Sequence, residues 1–172
     1  MKVRLKLLLF SVLLFFSTSL YPNLGEISAQ SLAYKTLLGT LYDDDFPVIH
    51  PENIQNLSSY QVLDTREKNE YEVSHLKDAI WIGFDTFELD ELQKLDKSKP
   101  VLVYCTVGAR SQEIGKKLSE LGFSNVSNLY GGIIHWVNEG NPVYRDALQT
   151  DQVHTYSKTW GIWLNRGEKV YD

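Results

Sequence analysis

The feature that most constrains the fold is a regular alternation, beginning at Pro47, of short apolar runs with stretches of helical spacing. Strands are predicted at residues 48–49, 61–63, 79–82, 101–104 and 126–129. Helical segments are predicted at residues 51–57, 67–73, 86–95 and 111–121, with a short one through Trp136. Short apolar strands separated by helices are typical of parallel strands buried on both faces. We therefore expect an α/β fold with a central, mostly parallel sheet flanked by helices.

Two ionisable side chains lie where predicted strands end. Asp64 follows the strand at residues 61–63, and Cys105 follows the strand at residues 101–104. In open α/β sheets, binding sites form outside the carboxyl ends of the strands. Asp64 and Cys105 are therefore expected on the same rim of the sheet.

Cys105 is the only cysteine of the chain, and it lies between a predicted strand and a predicted helix. The helix N-terminus adds about half a positive charge near the thiol, and Arg110 adds a full one. Both favour the nucleophilic thiolate. Gly108 can adopt the backbone angles of a tight turn, and Ser111 can cap the helix or donate into the loop. The predicted anion-binding loop consists of Thr106, Val107, Gly108, Ala109, Arg110 and Ser111.

A lone cysteine can also serve as a small buried apolar side chain. That interpretation does not explain why Gly108, Arg110 and Ser111 accompany Cys105. Cys105 is therefore predicted to be a catalytic nucleophile.

Residues 1–29 have the pattern of a secretory signal peptide: three basic residues precede an apolar run of about half the length that a bilayer-spanning helix needs. Cleavage is predicted between Ala29 and Gln30, with an uncleaved anchor as the alternative. It leaves 14 of the 17 basic and 21 of the 22 acidic residues, a net charge of −7. An exported protein is therefore expected, periplasmic or extracellular, with no stable membrane insertion after cleavage and no nucleic-acid partner.

Two further patterns flank the loop at Cys105. The first is LDTRE at residues 63–67, with EY at 70–71 and SHLKDA at 74–79; the second is LYGG at 129–132, with Trp136 and GNP at 140–142. With the loop, they resemble in order and spacing the signatures of the rhodanese-like sulfurtransferases. The resemblance covers residues 47–143, although Ser74 and Asp78 stand where the family usually has glycine. It implies a rhodanese-like three-layer fold, preceded by a lead-in at residues 30–46.

The resemblance also implies a mechanism. Cys105 would take the outer sulfur of a donor such as thiosulfate as a persulfide and pass it to a thiol or cyanide, and the acceptor thiol can belong to a protein. The chain has no second cysteine, so the acceptor must come from outside. No cofactor is implied.

Two other functions share this pattern. Cysteine phosphatases of this fold use Cys and Arg in the same roles, but with five residues between them to make a loop large enough for phosphate. Four residues separate Cys105 from Arg110, which favours sulfur chemistry. A non-catalytic rhodanese-like binding or sulfur-carrier module is the remaining alternative.

The remaining polar residues have mostly structural interpretations. Asp64 and Arg66 are predicted to support the site as an ion pair or loop brace, with anion holding by Arg66 as the alternative. His75 is expected to be a structural hydrogen-bonding residue rather than a base. The four histidines show no metal-ligand spacing, so no metal is predicted. Gly131 and Gly132 are expected to permit close backbone approach near the loop.

The C-terminal residues 144–172 lie outside the resemblance and are rich in aromatic side chains. An exposed disordered tail would not usually contain Tyr156, Trp160 and Trp163. This extension is predicted to pack on the domain as a short helix or extended strap. Its expected role is added core coverage, and the alternatives are that it borders the active site or docks a partner.

Overall fold

The computed structural model of the chain describes residues 24–87 and 89–171, so most of the predicted signal peptide lies outside the described residues. The first of the described elements is helix α1, Leu24–Leu41, which includes the predicted cleavage position. No helix in these two ranges is long and apolar enough to cross a membrane. The sheet belongs to a compact unit that begins at Leu38.

A five-stranded sheet forms the centre of this unit. Its strands are β1 (Val48–Ile49), β2 (Gln61–Asp64), β3 (Ile80–Trp81), β4 (Val101–Tyr104) and β5 (Val126–Leu129). The spatial order is β1-β5-β4-β2-β3, and every neighbouring pair is parallel. Strand β4 lies in the middle with all four residues fully buried, as expected for a continuous apolar run in a parallel sheet. The predicted α/β fold with a central parallel sheet is confirmed.

Helix α2 (Lys68–Val73) lies between β2 and β3, helix α3 (Ala109–Glu120) connects β4 with β5, and helix α4 (Gly132–Asn138) follows β5. Short 3₁₀ helices occupy Pro51–Asn53, Leu57–Ser59 and Leu89–Lys94. The helix predicted at residues 86–95 is therefore wrong in type, because its described part forms only the six-residue 3₁₀ helix. A helix this short gains little from its own hydrogen bonds, so packing of Leu92 into the core determines its geometry.

Helix α3 buries one face against the sheet. Ile114 and Leu118 are fully buried in a core cluster that also contains Leu63 and Val103. Gly115 lies on the same face, and a Cβ atom there would come within 2.5 Å of the Phe46 ring. The helix can therefore pack closely enough to fix the position of its N-terminus at the sheet rim.

The C-terminal extension adds two small strand pairs. Strands β6 (Val143–Arg145) and β7 (Leu148–Thr150) are antiparallel, whereas β8 (Gln152–His154) and β9 (Glu168–Val170) are parallel, and helix α5 (Lys158–Gly161) lies between β8 and β9. His75 and Tyr144 exchange two backbone hydrogen bonds of 2.8 Å. Asn138 Nδ2 also donates to the carbonyl oxygen of Trp163 at 2.8 Å. These contacts hold the extension against the α/β unit.

Candidate active site

The ends of β2 and β4 meet at one rim of the sheet. Asp64 pairs in register with Tyr104, and Cys105 is the next residue. The structure therefore places Asp64 and Cys105 on the same rim, as the strand ends predicted.

The loop that follows β4 folds around the sulfur of Cys105. The cysteine is 1% exposed, and the backbone N–H of Gly108 donates to its Sγ atom at 3.1 Å. Gly108 has a φ of +103° and directly precedes helix α3. A Cβ atom there would lie 2.0 Å from the hydroxyl oxygen of Tyr42, which donates to the carbonyl oxygen of Val107 at 2.6 Å. The tight turn therefore requires glycine for conformation and for space.

Asn128, which sequence reasoning did not identify, supports the loop from strand β5. Its Nδ2 group donates to the carbonyl oxygen of Gly108 at 2.8 Å, and its Oδ1 atom accepts from Ser111 Oγ at 2.7 Å. Ser111 was expected to cap helix α3 or donate into the loop, and that expectation is wrong. Helix α3 already begins at Ala109, so the side chain of Ser111 points to β5 instead.

Helix α4 supports the loop from another side. The backbone N–H groups of Ile133 and Ile134 donate to the carbonyl oxygens of Cys105 and Thr106 at 2.9 and 3.3 Å. Gly132 has a φ of +56°, and a Cβ atom there would lie 2.3 Å from the carbonyl oxygen of Cys105. The close backbone approach predicted for the glycine pair is confirmed at Gly132.

Arg110 forms a paired charge rather than an isolated one. Its guanidinium donates to both carboxylate oxygens of Glu70, at 2.7 and 2.8 Å, and to Thr106 Oγ1 at 3.0 Å. Thr106 in turn donates to Glu70 at 2.9 Å. Arg110 was expected to add a full positive charge near the thiol, and the structure shows that Glu70 balances this charge. Glu70 is a site residue that only its place in the family pattern hinted at.

Electrostatics stabilises the charged form of both partners. Burial alone would raise the pKa of Glu70, but the hydrogen bonds and charge of Arg110, aided by the charge of Arg66, lower it below its ordinary value of 4.5. Burial would lower the pKa of Arg110, but its hydrogen bonds to Glu70 and the charges of Cys105 and Glu70 raise it. The pair therefore remains ionised at neutral pH.

Asp64 and Arg66 form a second pair, which is closed to solvent. Both side chains are 0% exposed, and the Arg66 guanidinium contacts the Asp64 carboxylate at 2.6 to 3.2 Å. Arg66 also donates to the carbonyl oxygen of Ser74 at 2.6 Å, and Tyr104 donates its hydroxyl to Asp64. The pair braces the loop after β2, so the alternative in which Arg66 holds an anionic donor is wrong in this structure.

A pocket of about 200 Å³ opens above the sulfur. It is lined by Cys105, Thr106, Val107, Ala109, Arg110, Tyr156 and Trp160. The last two residues belong to the extension, and the guanidinium of Arg110 lies 5.1 Å from the centre of the Tyr156 ring. The extension therefore borders the candidate active site, which was one of its three predicted roles. A larger cleft of about 490 Å³ near Phe46 and Phe123 is lined by no cysteine or histidine.

Three of the four histidines fall into two groups. His75 is buried, its Nδ1 atom lies 2.8 Å from the carbonyl oxygen of Leu76, and its ring stacks on Tyr71 at 4.3 Å, so it has the predicted structural role. Among the described residues, His50, Glu52 and His135 bring potential metal-ligating atoms within 4.8 Å of one another.

Comparison with known proteins identifies the family. A model of the rhodanese-like domain matches residues 51–139, just over half of the chain. The solved structure of a rhodanese-related protein from Thermoplasma volcanium has 34% identity and a TM-score of 0.52, covering 58% of this chain and 99% of that one. The chain belongs to the rhodanese-like family.

Two curated relatives have different named activities. The thiosulfate sulfurtransferase GlpE of Coxiella burnetii is 37% identical over 75 residues, which cover 44% of this chain and 69% of the relative. The tRNA uridine(34) hydroxylase of Hamiltonella defensa is 40% identical over 114 residues, which cover 63% of this chain and 30% of the relative. The chain spans about a third of the length of several curated relatives that it matches.

Proposed function

We propose that the protein is a sulfurtransferase in which Cys105 carries sulfur as a persulfide. The observation that carries the proposal is the position of Cys105, which lines the pocket and whose Sγ atom accepts a hydrogen bond from the N–H of Gly108 at the start of helix α3. An N–H donor and a helix N-terminus stabilise negative charge on sulfur, both as thiolate and as persulfide. The relative named a thiosulfate sulfurtransferase supports thiosulfate as one donor.

The reaction divides into two displacements at sulfur. The Cys105 thiolate attacks the outer sulfur of thiosulfate, a new S–S bond forms, the donor's S–S bond breaks, and sulfite leaves with the electron pair. An acceptor such as cyanide or a thiolate then attacks the outer sulfur of the persulfide. The bond to Cys105 breaks, the cysteine leaves as thiolate, and the charges balance in each step without a cofactor.

The surroundings of the sulfur suit this two-step route. The acceptor must come from outside, because Cys105 is the only cysteine. Tyr156 and Trp160 form an aromatic wall beside the pocket, and the charge of Arg110 is balanced by Glu70. We propose that this wall limits access of water and of large acceptors to the persulfide.

Phosphate chemistry is less well supported. A phosphatase of this design needs its arginine free to hold a phosphate dianion, whereas both terminal nitrogens of Arg110 bond to Glu70. A sulfur-carrier module without turnover is the remaining alternative, and it differs from an enzyme by loading sulfur without releasing it to small acceptors.

Export is a separate part of the proposal, supported by the basic and apolar pattern of residues 1–29. Intact-mass measurement of the native protein tests it. A mass that corresponds to a chain beginning at Gln30 supports cleavage, whereas a mass that corresponds to a chain beginning at Met1 contradicts it.

Thiocyanate formation from thiosulfate and cyanide tests the activity. The wild-type protein is expected to turn over many times, and Cys105→Ser is expected to give only the uncatalysed rate while remaining folded. Equal activity of the two proteins would overturn the proposal. A wild type that loads sulfur but releases none to cyanide or small thiols would favour the carrier module.

A further inference from the structure

A second group of side chains, all of types that bind metal ions, lies apart from the residues that line the Cys105 pocket. His50 follows strand β1, Glu52 belongs to the 3₁₀ helix Pro51–Asn53, and His135 belongs to helix α4. One ligand atom from each lies within 4.8 Å of the other two. The proposed sulfur transfer uses none of these three side chains.

One aromatic ring orients both imidazoles. The His50 ring stacks on Tyr130 with centroids 4.1 Å apart and an interplanar angle of 21°. The His135 ring meets the same tyrosine edge-on at 5.6 Å and 84°. Such contacts favour particular ring orientations, so little rearrangement is needed for the two imidazoles to share a ligand.

The separation of His50 and Glu52 suits a small cation. His50 Nδ1 and Glu52 Oε1 are 3.6 Å apart, which is longer than a hydrogen bond. In a tetrahedral zinc site with bonds of about 2.0–2.1 Å, the ligand atoms lie about 3.4 Å from each other. The observed separation is therefore close to the edge of such a tetrahedron.

The donor set determines which class of ion fits. Two imidazoles and one carboxylate are typical of zinc and related transition metals, whereas Mg²⁺ and Ca²⁺ prefer oxygen ligands. Glu52 is exposed and both histidines are partly exposed, so solvent can supply a fourth ligand. We propose that His50, Glu52 and His135 form a binding site for a divalent transition-metal ion of the zinc class.

This proposal revises the expectation of no metal, which rested on spacing along the sequence. His50 and His135 are far apart in the chain and meet only because β1 pairs with β5, which leads through Tyr130 into helix α4. No local motif can reveal such a pair. The proposal is independent of sulfur transfer, since it uses other side chains.

Zinc titration of the untagged protein tests the site. A Cys105→Ser background removes the thiol as a competing ligand, and isothermal titration calorimetry gives the stoichiometry and affinity. One Zn²⁺ is expected to bind, with no saturable Mg²⁺ binding. His50→Gln and His135→Gln are each expected to weaken binding by at least about tenfold, the lower end of what loss of an outer-shell partner costs. Glu52→Gln is also expected to weaken binding, whereas its matched control Glu113→Gln, at an exposed glutamate elsewhere, should leave the affinity unchanged.

A second readout keeps the test valid if a variant unfolds. In the folded Cys105→Ser protein, zinc is expected to shift the imidazole NMR signals of His50 and His135 and leave those of His75 and His154 in place. Saturable zinc binding that neither histidine substitution weakens would overturn the proposal. Absence of binding up to about 1 mM zinc would also overturn the proposal, because a preformed site binds zinc more tightly than that.

Discussion

Two neighbouring strand ends each carry an arginine–carboxylate pair, and the two pairs differ in what surrounds them. After β2, Asp64 and Arg66 are sealed from solvent, with Ser74 and Tyr104 as further partners. After β4, Arg110 keeps 20% of its side chain exposed and lines the pocket beside Cys105, while its buried partner Glu70 comes from helix α2. The same chemistry therefore serves as a brace at one strand end and as part of a site at the other.

The difference shows how burial determines the role of a charge. A closed pair can influence only the stability and shape of its loop, because no ligand can reach it. An open pair also sets the electrostatic potential that a ligand meets. Substitutions at the closed pair should therefore change stability, whereas those at the open pair should change substrate preference as well.

The largest effect on stability is expected for Asp64→Asn. This substitution conserves volume but leaves the Arg66 charge buried without its counter-ion, which costs about 3–5 kcal/mol of unfolding free energy. Urea unfolding measures the loss. Sulfur transfer per folded molecule should remain near the wild-type rate, and a large loss of rate with normal stability would contradict the brace.

The next largest effect is expected for Gly132→Ala, which tests the backbone contact that supports the open site. The left-handed conformation costs a non-glycine residue about 1–2 kcal/mol, and the clash of the new Cβ atom with the carbonyl oxygen of Cys105 adds about 1–3 kcal/mol. Gly122→Ala is the matched control, because Gly122 has a φ of +89° and no atom within 4 Å of its Cβ position. Gly132→Ala should lower both stability and transfer rate more than the control does, and equal effects would contradict the role of close approach.

A smaller loss of stability, of about 1.5–3 kcal/mol, is expected for Glu70→Gln, which removes charge-assisted hydrogen bonds. The unbalanced charge of Arg110 should also strengthen thiosulfate binding by at least about 1 kcal/mol. This gain corresponds to a roughly fivefold lower KM. Steady-state kinetics at low salt measures KM. An unchanged or higher KM would show that the open pair does not set the potential of the pocket.

The same variant has a defined pH dependence. Because the pKa of Glu70 lies below its ordinary 4.5, the wild type has the full stabilisation above that value and loses it as the pH falls further, through the folded-state pKa. Glu70→Gln should lack this part of the acid destabilisation in unfolding curves collected from neutral pH downward.

The smallest effect is expected for Tyr156→Ala in the aromatic wall. Loss of the contact with Arg110 should cost about 0.5–1 kcal/mol of stability. Opening the pocket should raise the transfer rate to bulky thiols relative to cyanide. Trp163→Phe, elsewhere in the extension, is the control, and an identical acceptor profile for all three proteins would contradict the proposed wall.

Much of this framework was predictable from the sequence. Parallel strands buried on both faces have nearly continuous apolar residues, so the apolar runs predicted β4 and β5 with the bounds that the structure shows. The ends of the predicted strands indicated where the site lies. The three-residue strands of the extension were missed, because a strand this short cannot show alternation.

The missed site residues share a cause. Glu70 and Asn128 reach the loop only through tertiary contacts, and apart from the place of Glu70 in the family pattern nothing near them in sequence indicates a common destination. The same holds for His50 and His135, which lie on different elements. Asp78, by contrast, replaces an expected glycine yet keeps a φ of +57°, which aspartate tolerates better than most residues.

Intact-mass spectrometry after incubation with thiosulfate tests the central claim most directly, namely that Cys105 carries sulfur. The wild type is predicted to gain the mass of one sulfur atom and to lose it again on addition of cyanide, whereas Cys105→Ser gains nothing. A folded wild type with a free thiol that gains no sulfur from thiosulfate or from an organic persulfide would contradict the account.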